Sequence, residues 1–229
     1  MEIKKQAEDY KTIAANFNSL TNDKYSMKNS FTKSALPTKT FPSHIKPMLA
    51  TLIEEPFNRP GWLYEIKWNG YRILAFKYKR NVILRSGSGL DCTDRYPAVV
   101  KSLKKIISDF VIDGQVVAFD ENGKISFDAL QRANPDAPLT YYVFDLLWVN
   151  GYNVMPLTLI DRKRILKSMI RTKGVTKFSE HFKDGIGLYE QANELALGGI
   201  VAKKEDSTYQ PGKRGTDWLK IPTAICRNV

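Results

Sequence analysis

The residues best suited to chemistry in this chain of 229 residues are a lysine and the turn that follows it. They lie in the run Glu65–Arg72, which reads EIKWNGYR. Lys67 ends an apolar, strand-like segment, and Asn69-Gly70 is a typical turn dipeptide. An amine attacks phosphorus only when it is deprotonated, so partial burial and nearby cations must lower its pKa. The run predicts a lysine nucleophile at a strand end, although a lysine on the solvent face of an ordinary strand would give the same pattern.

Further segments that combine charged and apolar residues follow in order along the chain. They are DCTDRYP (91–97), DGQVVA (113–118), FDLL (144–147), the pair RK (162–163), GIVAK (199–203) and DWLKI (217–221). An aromatic ring and a branched aliphatic side chain can clamp a purine, and cations stabilise charge that develops on phosphate. The alternative to a purine contact for Phe144 is ordinary packing in the core. The alternative to a phosphate contact for Arg214 is an exposed surface charge, because this residue lies in the loop-like run QPGKRG.

Together these segments resemble the ordered motifs of ATP-dependent DNA ligases, over about residues 42 to 221. Lys67-Trp68-Asn69-Gly70 is similar to the family's Lys-x-Asp-Gly motif, and the set is similar in particular to the ligase domain of bacterial DNA ligase D. The resemblance implies an α+β, ATP-grasp-like adenylation domain with antiparallel sheets flanked by helices. It also implies that the C-terminal OB-fold of these ligases is absent, because the chain stops shortly after the last motif.

The resemblance implies transfer of AMP from ATP to Lys67, and then to the 5′-phosphate of nicked double-stranded DNA, in DNA repair and recombination. Glu65 and the backbone of Ile66 would read the adenine edge, while Phe144 and Val201 would sandwich the base. Ribose or phosphate would be contacted by four basic residues, Arg72, Lys203, Arg214 and Lys220. An RNA ligase or a capping enzyme shares this lysine chemistry, but the FDLL and WLK elements are more typical of DNA ligases.

Several motif positions depart from the family pattern. Gln115 and Gly198 stand where the family has glutamates that hold Mg²⁺ or Mn²⁺, and Asn69 replaces the aspartate after the lysine. Hard divalent cations prefer anionic oxygen ligands, so an amide weakens such a site and a glycine removes the contact. Other substituted positions are Gly87, Ser88 and Pro222. We expect slow or absent transfer of AMP to Lys67 with the fold retained, and the alternative is a catalytically inactive module that binds nucleotide or DNA.

Composition supports a globular protein with a basic surface. The formal net charge is +11, from 35 Lys and Arg against 24 Asp and Glu, which favours polyphosphate partners but does not by itself prove nucleic-acid binding. Cys92 and Cys226 lie far apart and give neither a disulfide framework nor a zinc spacing. No signal peptide or membrane-spanning run is apparent. We therefore expect a cytoplasmic monomer, bacterial and associated with the nucleoid during repair, with end-joining repair proteins as further partners.

Periodicity divides the chain into a flexible polar tail (1–40), the adenylation domain (41–222) and a truncated C-terminal end (223–229). We predict strand, turn and strand over 63–75, with the turn at Asn69-Gly70. Further strands are predicted at 81–86, 110–119, 139–149, 200–203 and 218–221, and helices near 99–107, 126–133, 161–171 and 185–197. Because strands and helices do not alternate strictly, the pattern favours an α+β fold over a parallel sheet.

Overall fold

The computed structural model describes residues 40–131, 138–170 and 174–223. The strands are β1 (Leu49–Leu52), β2 (Trp62–Ile66), β3 (Tyr71–Tyr78), β4 (Asn81–Ser86), β5 (Phe110–Ala118), β6 (Leu139–Val149), β7 (Tyr152–Asn153), β8 (Thr176–Phe178), β9 (Ile200–Lys204) and β10 (Arg214–Ile221); the α-helices are α1 (Pro97–Leu103), α2 (Phe127–Gln131), α3 (Leu159–Met169) and α4 (Gly185–Glu194). The predicted tail, except its last residue, and residues 224–229 of the predicted C-terminal end lie outside the described residues.

The strands form two sheets. The smaller sheet has the order β1-β10-β9-β2, and the larger has the order β4-β3-β5-β6-β7 with β8 paired to β6. Pairing is antiparallel except between β1 and β10 and between β6 and β8. The α+β class with largely antiparallel sheets is therefore confirmed. No helix among the described ranges is long and apolar enough to cross a membrane.

The chain passes from the smaller sheet to the larger one through the short segment between β2 and β3. The amide of Lys67 donates to the carbonyl of Gly199 at 2.9 Å, which holds the end of β2 against the start of β9. A Cβ on Gly70 would run into the carbonyl of Val116, so only glycine fits this close approach to β5. The predicted turn thus joins two sheets and is not the turn of a hairpin within one sheet.

Three apolar clusters hold the layers together. One lies between the larger sheet and helices α1 and α3, and it includes Val99 and Leu166. A second packs α4, through Leu188 and Ala192, against the smaller sheet. The third contains side chains of both sheets, among them Leu74, Phe76, Phe144, Trp148 and Trp218. Because each sheet contributes to the third cluster, their relative position is fixed by packing.

Several predicted element boundaries are wrong, including that of the last helix, which ends at Glu194 and not at residue 197. Helix α1 ends at Leu103, and Ile107, which the helical spacing placed on the buried face, is 95% exposed. Strand β10 begins at Arg214, so the last two residues of the run interpreted as an exposed loop, Arg214 and Gly215, are exposed but pair with β1. Helix α3 runs from Leu159 to Met169 with Thr158 as its N-cap. The ends predicted for two helices at Ala133 and Arg171 lie outside the described residues.

Candidate functional site

A cleft of about 730 Å³ lies where the two sheets meet. Most of the site residues predicted from the sequence line it: Glu65, Ile66, Lys67, Asn69, Arg72, Gln115, Phe144, Val201, Lys203, Arg214 and Lys220. They come from three strands of the smaller sheet, β2, β9 and β10, from three strands of the larger sheet, β3, β5 and β6, and from the segment that links the sheets. Residues that are distant in sequence therefore share one concave surface large enough for a nucleotide.

Lys67 lies directly after β2, at the point where the chain leaves the smaller sheet. Its Nζ is 3.5 Å from Oδ1 of Asn69, and its amide is fixed by Gly199. The ring of Trp68 stacks on that of Tyr142 with centroids 3.8 Å apart, which fixes the residue that follows Lys67. The lysine side chain is thereby directed into the cleft by a rigid backbone on each side.

A buried charge cluster lies beside Lys67. Glu65 accepts from Nζ of Lys163 at 2.8 Å and contacts Nζ of Lys203 at 3.1 Å, and all three side chains are at most 3% exposed. Burial alone would raise the pKa of Glu65, but the two lysines overcome this and lower it. Burial, only partly offset by Glu65, lowers the pKa of Lys203 to about 8. The cluster thus holds an ionised carboxylate and an ammonium group that loses its proton near neutral pH.

Aromatic rings and cations meet on one wall of the cleft. Nζ of Lys203 lies 4.2 Å from the ring centroid of Phe144 and 4.3 Å from that of Trp218. The guanidinium of Arg72 lies 4.7 Å from the Phe144 ring. The negative faces of the rings stabilise these desolvated cations. Val201 lies on β9 and faces the same cleft.

Arg72 is anchored from behind. Its guanidinium donates to both carboxylate oxygens of Asp113, at 2.6 and 2.5 Å, and the hydroxyl of Tyr209 donates to Oδ2 of Asp113 at 2.7 Å. The amide of Met48 in turn donates to the Tyr209 hydroxyl at 2.9 Å. Burial would lower the pKa of Arg72, but the charge of Asp113 outweighs it and raises the pKa. Arg72 is therefore a fixed, permanently charged group.

The remaining predicted phosphate contacts lie on β10. Arg214 is exposed and donates to the carbonyl of Ala50 on β1, while Lys220 is partly buried and pairs with Val201 in the sheet register. Both line the cleft. With Lys67, Arg72 and Lys203 they make its lining strongly basic, and Glu65 is the one acidic residue among the described residues that line it.

The positions predicted as metal ligands do not supply carboxylates. Nε2 of Gln115 donates to the carbonyl of Gly70 at 2.6 Å. Gly198 lies against the Asn69 side chain, and a Cβ there would be 2.8 Å from the carbonyl oxygen of Lys67 and closer still to Oδ1 of Asn69. No group of three or more His, Cys, Asp or Glu able to hold a metal ion occurs within the described ranges. These residues do not fit a divalent cation.

Four of the substituted positions are not part of the cleft lining: Gly87, Ser88, Pro222 and Gly198. The amide of Gly87 donates to the carbonyl of Arg72 at 3.0 Å, next to the cleft. The hydroxyl of Ser88 is 2.8 Å from that of Ser86 in the loop after β4. The carbonyl of Pro222 accepts from the hydroxyl of Tyr189 at 3.2 Å.

Sequence reasoning missed several residues that shape the site. Lys163, Asp113 and Trp218 all lie within quoted motifs, yet no role was assigned to them because their partners are distant in sequence. Lys163 and Glu65, for example, are separated by 98 positions. Tyr209 carried no recognisable signal, and only the fold brings its hydroxyl to Asp113.

Comparison with known proteins supports the motif pattern. The family described as "ATP dependent DNA ligase domain" matches residues 47–221. The multifunctional non-homologous end joining protein LigD of Mycolicibacterium smegmatis is 33% identical over 182 residues, which cover 78% of this chain and 24% of that protein. The SPbeta prophage-derived DNA ligase-like protein LigB of Bacillus subtilis is 28% identical over 182 residues, covering 77% of this chain and 67% of LigB. The chain thus spans about a quarter of the length of the LigD relatives.

Solved structures agree with this assignment. The ligase domain of LigD from M. tuberculosis superposes with a TM-score of 0.70 at 31% identity, covering 77% of this chain and 58% of that one. Mycobacterial DNA ligase D complexed with ATP and MES gives a TM-score of 0.69 at 31% identity, covering 78% and 60% of the two chains. The chain therefore belongs to the ATP-dependent DNA ligase family and is an adenylation domain homologous to the ligase domain of LigD.

Proposed function

We propose that this protein binds ATP in the Lys67 cleft and transfers AMP to Lys67 slowly, as the first step of a route to the 5′-phosphate of nicked double-stranded DNA. The observation that carries the proposal is the position of Lys67, whose backbone is fixed between the two sheets in a cleft lined by basic side chains. In the transfer, the neutral Nζ of Lys67 forms a bond to the α-phosphorus, and the bond from that phosphorus to the pyrophosphate breaks. Pyrophosphate leaves with the electron pair, and the nitrogen releases one proton to the solvent.

The other residues have roles suited to their surroundings. The cations Arg72 and Lys203 favour a neutral Lys67 amine and stabilise the negative charge of the phosphates. Glu65 is held by two lysines, and a carboxylate has further lone pairs with which to accept from an adenine amino group. Phe144 and Val201 are proposed to contact the two faces of the base. Pre-organisation by the sheets reduces the entropic cost of binding.

The wider assignments extend beyond this domain. We propose that the protein is a cytoplasmic monomer that acts at the nucleoid during end-joining repair, with nicked DNA and repair proteins as partners. The net charge of +11 supports a polyanionic partner. Comparison of nicked DNA with nicked RNA in a salt-dependent binding assay tests the choice of nucleic acid.

A second candidate function is supported by the neutral residues at the predicted metal positions. With Gln115 tied to Gly70 and no side chain at position 198, these two positions lack the carboxylates that would hold a divalent cation for the transfer step. The protein would then be a nucleotide-binding or DNA-binding module of the ligase fold, with no transfer of AMP.

Intact-protein mass spectrometry distinguishes the two functions. The protein is incubated with ATP and either Mg²⁺ or Mn²⁺, beside the variant Lys67→Ala and the matched surface variant Lys101→Ala. We expect a slowly forming AMP adduct in the parent protein and in Lys101→Ala, and none in Lys67→Ala. If ATP binds by calorimetry but no adduct forms, the binding module is correct. If ATP does not bind, the transfer of AMP and the nucleotide-binding module are both wrong, and the assay with nicked DNA then tests the DNA-binding module.

A further inference from the structure

The three neutral residues at Asn69, Gln115 and Gly198 form one connected arrangement around the turn that carries Lys67. We infer that this arrangement replaces a divalent-cation site, so that the cleft binds the triphosphate of a nucleotide without a bound metal ion. The inference rests on the proposed binding of ATP in this cleft. It differs from that proposal because it concerns which groups balance the charge of the phosphates.

The carboxylates near the cleft already have cationic partners. Glu65 is held by Lys163 at 2.8 Å and by Lys203 at 3.1 Å and is 2% exposed. Asp113 is fully buried and engaged by Arg72. A divalent cation at either carboxylate would have to approach these fixed positive groups in a region of low dielectric, where repulsion is strong. Neither carboxylate can therefore replace the missing metal ligands.

Gln115 takes part in the structure as a hydrogen-bond donor. Its Nε2 donates to the carbonyl of Gly70 at 2.6 Å and ties β5 to the turn beside Lys67. An ionised glutamate has no donor and would place its negative charge against that carbonyl oxygen. The amide is thus required by this geometry, and a carboxylate at position 115 would disturb the turn.

The absence of a side chain at Gly198 leaves the space that the Asn69 side chain occupies. The Asn69 side chain lies where a Cβ at position 198 would be, and that Cβ would also be 2.8 Å from the carbonyl oxygen of Lys67. The side chain can move, but the Lys67 carbonyl belongs to the same residue whose amide is held by Gly199. A side chain at position 198 would therefore displace the backbone that positions Lys67.

Positive side chains supply the charge that a metal ion would otherwise bring. The cleft is lined by five basic residues, Lys67, Arg72, Lys203, Arg214 and Lys220, against the single carboxylate of Glu65. A triphosphate without a bound cation carries more negative charge than its magnesium complex, so this lining favours the free form. The excess of positive charge in the cleft and the lack of carboxylates at positions 115 and 198 both indicate that the cleft binds ATP without a metal ion.

Titration calorimetry of ATP in EDTA and in Mg²⁺ tests the inference on the whole chain. Because the lining favours metal-free ATP, we expect the Kd in EDTA to be no higher than that in Mg²⁺. Gln115→Glu should weaken binding in EDTA by at least about tenfold, because it adds a negative charge beside the phosphates. Asn81→Asp is the matched control. It adds the same charge at the exposed first residue of β4, whose last residue is Ser86, and it should change the Kd less than twofold.

The outcomes separate the inference from the proposed function. Binding that occurs only with Mg²⁺ overturns the inference and leaves the proposed function intact, whereas no binding in either buffer overturns both. An unchanged Kd in EDTA for Gln115→Glu also contradicts the inference.

A stability measurement tests the contact between positions 69 and 198 without any nucleotide. Gly198→Ala should lower the Tm by about 5 °C, since the new methyl group meets backbone. Gly215→Ala is the matched control, because nothing lies within 4 Å of the added Cβ on β10. An equal Tm for both variants would show that Gly198 is not needed to seat Asn69.

Discussion

Replacing Glu65 by glutamine tests the electrostatics of the buried charge cluster, because the amide keeps the shape of the carboxylate and removes its charge. The ammonium of Lys163 then loses a charge-assisted hydrogen bond of 2.8 Å, worth about 1.5 to 3 kcal/mol. Lys203 loses its carboxylate at 3.1 Å but can release its proton. With a pKa of about 8, that release costs about 1.4 kcal/mol at pH 7.

The free energy of unfolding at pH 7 should therefore fall by about 3 to 4 kcal/mol, with a decrease in Tm of roughly 10 °C. At pH 9 Lys203 is already mostly neutral in the parent protein, so the effect of Glu65→Gln should shrink by about 1.4 kcal/mol. Urea denaturation at the two pH values measures both quantities.

Glu180→Gln is the matched control, because Glu180 also pairs with a lysine, Lys167, at 2.9 Å but at the surface. Its effect should stay below about 1 kcal/mol. A cost for Glu65→Gln no larger than this control, or the same cost at pH 7 and pH 9, would refute the reasoning about Lys203.

Two further predictions concern the groups that face the cleft. ATP affinity should fall about tenfold between pH 7 and pH 9. The reason is that burial lowers the pKa of Lys203 to about 8, and the neutral amine no longer attracts phosphate. Calorimetry measures this fall, which should be absent in Lys203→Met. Tyr209→Phe removes the donor to Asp113 at 2.7 Å and the acceptor for the Met48 amide. Urea denaturation should therefore show a decrease of about 1 to 3 kcal/mol in the free energy of unfolding. An unchanged free energy would mean that Asp113 is satisfied by Arg72 alone.

The sequence predicted those parts of the site that lie in short local patterns. The turn at Asn69-Gly70 and the strand before it could be read from turn chemistry and alternation, and they place Lys67 correctly after β2. The mainly antiparallel α+β fold also followed from the order of the elements. Chemical roles for the lining residues stay predictions until nucleotide binding is measured.

Features that depend on distant partners could not be predicted. Strand β1 is four residues long and exists because it pairs in parallel with β10, about 160 positions away in sequence. Ile107 has helical spacing but is exposed, since α1 ends at Leu103 and a turn at Lys104 and Lys105 follows it. Asn69 and Gly198 depend on each other because a side chain at position 198 would overlap with that of Asn69. Residue types alone do not reveal such a steric conflict.

The short segment that carries the chain from one sheet to the other also affects how the protein can open. Because residues 67–70 form one of the covalent links between the sheets and line the cleft, separation of the sheets dismantles the binding surface. A nucleotide at 100 times its Kd should then protect backbone amides of both sheets from hydrogen exchange by the same amount, about 2.7 kcal/mol. A bound small molecule would thereby make two layers respond as a single cooperative unit.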